Sequence, residues 1–189
     1  MDEAERTARI VAAAASVIAR EGVERASIRR IAEEAEVPLG LIHYAFGSKR
    51  ELFAAVYAHW FDASFAAVPE WVAPGAGVER AARTIAERIV DWADAQPGAA
   101  AGHYELLLWA HRAAPDLAAD TYRRWVASWT VALERGAAPG TTSERIHEVR
   151  DLLLVGVDGA VVRLLATRDR DDAHAVLDRA LRILERAGT

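Results

Sequence analysis

Apolar residues recur three and four positions apart along almost the whole of this 189-residue chain, on an alanine-rich background, while runs of alternating Val, Ile, Thr and aromatic residues are missing. A period near 3.6 buries one stripe of a helix, whereas a half-buried strand needs a period of two. The pattern restricts the fold to the all-α class, with about nine helices. Length and a composition of 52 % hydrophobic and 27 % charged residues supply a core without covalent staples. Cysteine is absent, which excludes disulfides, thiolate metal sites and a cysteine nucleophile.

Punctuation by Gly, Pro and capping residues sets the expected helix ends. The first helix runs from about Ala4 to Arg20, buries Ile10, Ala14, Val17 and Ile18, and stops at Gly22. Ser27 caps a short helix from Ile28 to about Ala35, Glu36-Val37-Pro38 makes a turn, and Pro38 opens another short helix to about Tyr44. Ser48-Lys49-Arg50-Glu51 reads as a capping box starting a long helix, about 48–67, with Leu52, Phe53, Val56, Trp60 and Phe61 as candidate buried positions. Pro69 to Gly77 is the stretch that looks like a domain boundary, giving domains at 1–50 and 68–189 joined by the fourth helix. Further helices are expected at about 78–95 (ended by Pro97-Gly98), 99–112, 115–135, 143–167 and 172–187, the last capped by Asp171 or Asp172.

Two short helices across a tight turn, with a helix before and after, have the spacing of a helix-turn-helix module. Net charge is −5, but residues 1–50 carry eight basic and eight acidic side chains, so the acidity lies in the C-terminal part. The run from Gly22 to Phe53, with Ser27, Ile31-Ala32, Ala35, Val37, Gly40, Tyr44, Phe46, Lys49 and Leu52 in order, resembles the TetR-family signature. The resemblance covers about residues 6–55. It implies an N-terminal three-helix DNA-binding domain and a C-terminal helical ligand-binding and dimerisation domain.

On that resemblance, Leu39, Leu41 and His43 match the positions that touch base edges, and Arg29 matches one that reads guanine in some relatives. Leucines offer apolar contact suited to a thymine methyl, while His43 can donate or accept hydrogen bonds. Tyr44, Ser48 and Lys49 match phosphate clamps, and Ser27, Arg30 and Gly40 complete the DNA-binding set. Two positions depart from the pattern. His43 stands where the family often has Tyr, and Glu36 where it usually has Gly, so the turn is expected to be reshaped or mildly strained.

Gly156 and Gly159 share a helix face with Leu152, Val155 and Val162, which suggests close approach of another helix. The resemblance implies a dimer bundle made from this helix and the last one, where Val176, Leu177, Leu181 and Leu184 form a stripe; an intrachain packing site is the alternative. Two-fold symmetry then implies a roughly palindromic operator, read by helices about 34–36 Å apart. The resemblance also implies an inducer cavity, with Trp92, His103, Tyr104 and Leu107 as candidate linings together with Leu108, His111, Trp125 and Trp129; a tryptophan stripe also fits a core. No cofactor or metal is implied. Gly-x-Ser-x-Gly, a phosphate-cradling loop and His-Glu-x-x-His are all absent, and the six histidines are scattered, so an enzyme is not expected. The acidic first residues and the lack of an apolar run of about 18 residues favour a cytoplasmic protein away from membranes. The expectation is thus a repressor released from operator DNA by a small apolar or aromatic ligand. The competing reading is a small-molecule-binding dimer of the same fold without sequence-specific DNA binding.

Overall fold

The computed structural model describes residues 2–64 and 67–187, with side chains described at all of these except 61–64 and 187. Among the described residues the secondary structure is helical throughout. The helices are α1 (Glu3–Glu21), α2 (Ile28–Glu34), α3 (Leu39–Phe46), α4 (Lys49–Ser64), α5 (Val78–Ala95), α6 (Pro97–Ala113), α7 (Pro115–Gly136), α8 (Ser143–Thr167) and α9 (Arg170–Ala187), with a 3₁₀ turn at Val68–Trp71. None of them is long and apolar enough to cross a membrane.

Local chemistry explains most helix ends. Asp2 and Glu5 cap each other reciprocally at the start of α1, with bonds of 2.8 and 2.9 Å. Gly22 ends that helix at φ 85°, a backbone setting that a side chain would resist. Ser27 Oγ accepts from Arg30 N at 3.2 Å, and Ser48 Oγ from Glu51 N at 3.2 Å, as their cap positions lead one to expect. Two ends differ from expectation. Pro97-Gly98 opens α6 instead of ending α5, because a proline in a first helical turn forfeits no hydrogen bond. The last helix starts at Arg170, and Asp169, not Asp171 or Asp172, caps it by accepting from Asp172 N at 2.9 Å.

Packing groups the chain into two compact units that do not follow chain order. Met1–Ala63 clusters with Pro97–Tyr122, and Ser64–Gln96 with Arg123–Thr189. A boundary drawn at residue 68 by chain order separates α6 from the helices it packs on.

In the first unit, Ile10, Ala14, Val17 and Ile18 of α1 meet Ile31 and Ala32 of α2, Ile42 of α3, Leu52, Phe53 and Val56 of α4, and Leu106 of α6, all fully or nearly fully buried. Trp60 is half-buried at the edge of this cluster, and the Phe61 side chain lies outside the described residues. The contact of α6 with α1 is unusually close. A Cβ at Gly98 would fall inside the van der Waals envelope of the Ala19 carbonyl, and one at Gly102 would lie 2.6 Å from Trp60 Cη2 and 3.1 Å from Ile18 Cγ2. One turn on, Glu105 Oε2 accepts from Val23 N at 2.6 Å, tying α6 to the loop after α1.

In the second unit, α5 presents Val78, Ala82, Ile85, Ile89 and Val90 to α8 and α9. Arg145 at the start of α8 reaches Glu79 of α5 at 3.0 Å and the Leu184 carbonyl of α9 at 2.8 Å. One guanidinium thus joins three helices.

The glycine seat of α6 makes a test. Gly98→Ala has no free space for its methyl and should lower unfolding stability by about 1–3 kcal/mol in a urea titration; an unchanged midpoint would show that α6 is not seated on α1.

Candidate nucleic-acid interface

α2 and α3 cross closely because the residues between them are small or flat against the core. Ile31, Ala32 and Ala35 are buried on one side, Ile42 and Phe46 on the other, and Val37 N donates to the Ala32 carbonyl at 3.0 Å to close the turn. Glu36 sits in that turn at φ 52°, a left-handed setting, so of the two expected outcomes the turn is strained and not reshaped. A non-glycine residue there costs about 1–2 kcal/mol, and Arg9 Nη2 donates to its carbonyl at 3.5 Å. The strain is local. The turn still closes.

With its inner face anchored, α3 turns the rest outward. Leu39 is 45 % and Tyr44 80 % exposed, Gly40 and His43 are exposed, and nothing lies within 4 Å of where a Cβ at Gly40 would be. Leu41 is half-buried and offers less surface than its neighbours. Beside α3, Lys49 opens α4 with its ammonium 4.8 Å from the centroid of Phe53, and this partial desolvation lowers its pKa from the ordinary lysine value. Ser27 and Ser48 are exposed, and since their oxygens accept cap hydrogen bonds, their O–H groups are left to donate. Arg29 and Arg30 lie on the exposed side of α2, both paired with Glu33. All ten residues expected at a DNA surface lie in the first unit, in or beside the helix-turn-helix.

Known proteins agree with this geometry. A family model for bacterial regulatory proteins of the tetR family matches residues 10–56. Over 168 residues the chain is 29 % identical to the HTH-type nicotine-responsive transcriptional repressor HdnoR of Paenarthrobacter nicotinovorans, a match covering 86 % of this chain and 84 % of that one. The helix-turn-helix segment is thus similar to that of the tetR family, and most of the chain is similar to a repressor that carries such a segment.

Solved TetR-like structures extend the likeness beyond the helix-turn-helix. The transcriptional regulator SCO7518 of Streptomyces coelicolor A3(2) superposes with a TM-score of 0.73 at 26 % identity, over 95 % of this chain and 98 % of that chain. The multidrug binding protein EbrR, complexed with ethidium, gives 0.67 at 26 % identity, over 93 % and 98 %. With a tetR-like helix-turn-helix and these likenesses over most of its length, the chain is a transcriptional regulator.

The remaining residues singled out in the sequence fall into two groups. On α8, Leu152, Val155 and Val162 are 54, 72 and 52 % exposed, and along the same helix Gly159 has nothing within 4 Å of a hypothetical Cβ while Gly156 has only Ala180 at 4.0 Å. Among the described residues Gly159 therefore seats no neighbouring helix within the chain, while Gly156 faces Ala180 of α9 at ordinary contact distance. On α9, Leu177, Leu181 and Leu184 are buried at 2, 3 and 4 % among the chain's own helices, so they are core and not an outward face. Val176 is half-buried, and Ile183 at 70 % exposure is the outward apolar residue that the stripe reading missed. A stripe marks the most apolar face of a helix, and here that face points inward.

The candidate ligand residues are divided between the units. His103, Tyr104, Leu107, Leu108 and His111 belong to the first, and Trp92, Trp125 and Trp129 to the second. His103 is buried 5.6 Å from the Tyr57 ring, and burial pushes its pKa down to about 4 and that of Tyr57 up to about 12. Leu108 is 58 % exposed and His111 is exposed, as surface residues would be. Trp125 and Trp129 meet edge to face at 5.4 Å, and the fully buried Trp129 Nε1 has no hydrogen-bond acceptor among the described residues. Sequence reasoning also missed Glu21, Glu33 and Glu105. The spacing of Glu33 from Arg29 and Arg30 on one helix was readable, but the other two act across 9 and 82 residues.

Proposed function

We propose that this regulator is a cytoplasmic repressor that binds a roughly palindromic operator as a homodimer and leaves it when a small apolar or aromatic molecule binds. The observation that carries the DNA reading is the two-sided character of α3: Ile42 and Phe46 are 1 and 9 % exposed on its inner side, Leu39 and Tyr44 are 45 and 80 % exposed on its outer side. A helix anchored this way fits the major groove, with Lys49, Tyr44 and the cap hydroxyls toward phosphate. His43 supplies the polar base contact, and Leu39 the apolar one. The rival reading, a ligand-binding dimer without DNA recognition, leaves this outward apolar and aromatic surface without a purpose.

The dimer reading is supported by the solvent-facing Leu152, Val155 and Val162 on α8 and Ile183 on α9, too much apolar surface to leave wet when a two-fold mate would cover it. Small residues at Gly156 and Gly159 would let the mate's helix come close. The ligand reading is supported by the Trp125–Trp129 pair and by the buried Trp129 N–H, which an acceptor on a bound molecule would satisfy. HdnoR is nicotine-responsive and EbrR has been crystallised with ethidium, and both names point to aromatic heterocycles. Because α6 packs directly on α1, a molecule that touches α6 acts on the same compact unit that carries α3. Its differential affinity for the two states sets how far operator binding falls. No catalysis, cofactor or membrane enters this account.

Lys49→Ala should weaken binding to every duplex alike and flatten the log–log dependence of affinity on salt by about 0.9 for each phosphate that is no longer neutralised. A slope equal to that of the parent protein would remove Lys49 from the interface. Titration of the protein with nicotine, ethidium and related heterocycles should quench tryptophan fluorescence and displace a bound duplex; quenching without displacement would contradict ligand-controlled release.

A further inference from the structure

A DNA-binding surface is expected to offer guanidinium groups to phosphate oxygens. On α2 those groups are already committed. Arg29 Nε donates to Glu33 Oε1 at 3.2 Å, Arg30 Nη1 to Glu33 Oε2 at 3.1 Å, and Arg30 Nη2 to Glu21 Oε1 at 2.6 Å. Each oxygen of Glu33 therefore holds a different arginine. Beside them Arg20 bridges Glu21 and Glu34 at 3.1 and 2.9 Å. Hydrogen bonds from Arg30 and then Arg29 hold the Glu33 carboxyl below the usual carboxylate range, so it stays charged at neutral pH.

Exposed ion pairs of this type add little to folding, so their consequence lies elsewhere. Arg29, Glu33, Glu36, Val37 and Leu39 line one shallow depression. Two carboxylates thus line the same depression as Leu39, the first residue of α3, and a phosphate backbone docking there would meet both.

We propose that Glu33 is a specificity-determining residue: it competes with phosphate for Arg29 and Arg30 and releases them only where α3 also engages base edges. This inference rests on the DNA-binding reading above. A duplex of arbitrary sequence offers phosphate alone, and most of that attraction is offset by breaking the pairs and by bringing a carboxylate near the backbone. At an operator, hydrogen bonds and apolar packing on base edges are added, and the exchange of carboxylate for phosphate goes forward. The pairing thereby suppresses non-specific binding more than specific binding, and widens the ratio that matters in a genome.

The test compares Glu33→Gln with Glu134→Gln, the same charge change at an exposed position of α7. Both are measured against an operator fragment recovered from the source genome and a random-sequence duplex of equal length, over a range of salt. E33Q should raise affinity for the random duplex about tenfold and steepen its log–log salt slope by about 0.9–1.8, as one or two further phosphates are neutralised. Its affinity for the operator should rise less. Equal increases on both duplexes, or increases no larger than those of E134Q, would overturn the proposal while leaving the DNA-binding reading intact. Parent protein that binds neither duplex would overturn that reading and this proposal together.

Discussion

The burial of Ile42 and Phe46 in the core cluster that includes residues of α1 and α2 is the constraint on which the outward side of α3 depends. A helix of eight residues has no stability of its own in water, so α3 exists as a helix only because its inner side is seated in the core of the first unit. The same seating fixes which side chains face out. Leu39, His43 and Tyr44 are available because their neighbours are not. α6 contributes to this anchorage from a distance in sequence, through Leu106 in the core, the glycine contact with α1 and the Glu105 carboxylate on Val23 N.

Charge is arranged differently from what a DNA-binding domain of neutral balance first suggests. Arg20, Arg29 and Arg30 are not a free basic patch; they share Glu21, Glu33 and Glu34. Under the proposed function this pairing reduces the charge that α2 offers to any duplex and leaves sequence recognition to the outward side of α3. That balance suits a regulator that must ignore most of a genome.

Much of this was legible in the sequence. The 3.6-residue period fixed the class, Gly22, Ser27 and Ser48 marked their helix ends, and of the two readings of Glu36, a reshaped or a mildly strained turn, the structure has the strained one at φ 52°. The core positions Ile10, Ile31, Ile42 and Phe53 were readable because periodicity reports burial directly. What failed did so where burial depends on a partner distant in sequence. Leu177, Leu181 and Leu184 formed the strongest stripe of α9, and nothing local says whether a stripe faces the chain's own α5 and α8 or a second copy. Pro97-Gly98 reads equally well as the end of one helix or the start of the next. The grouping of α6 with the N-terminal helices rests on Gly98 and Gly102 meeting Ala19, Ile18 and Trp60, a three-dimensional fit invisible to spacing.

The central claim is that the outward side of α3 reads base edges, once in each half of a symmetric site. Selection of bound fragments from the source genome with the parent protein and with His43→Ala tests it most directly. The account predicts a shared motif of two inverted half-sites, and a loss of preference at one matching position in each half when His43 is replaced. Fragments without a common motif, or a motif untouched by the replacement, would contradict it.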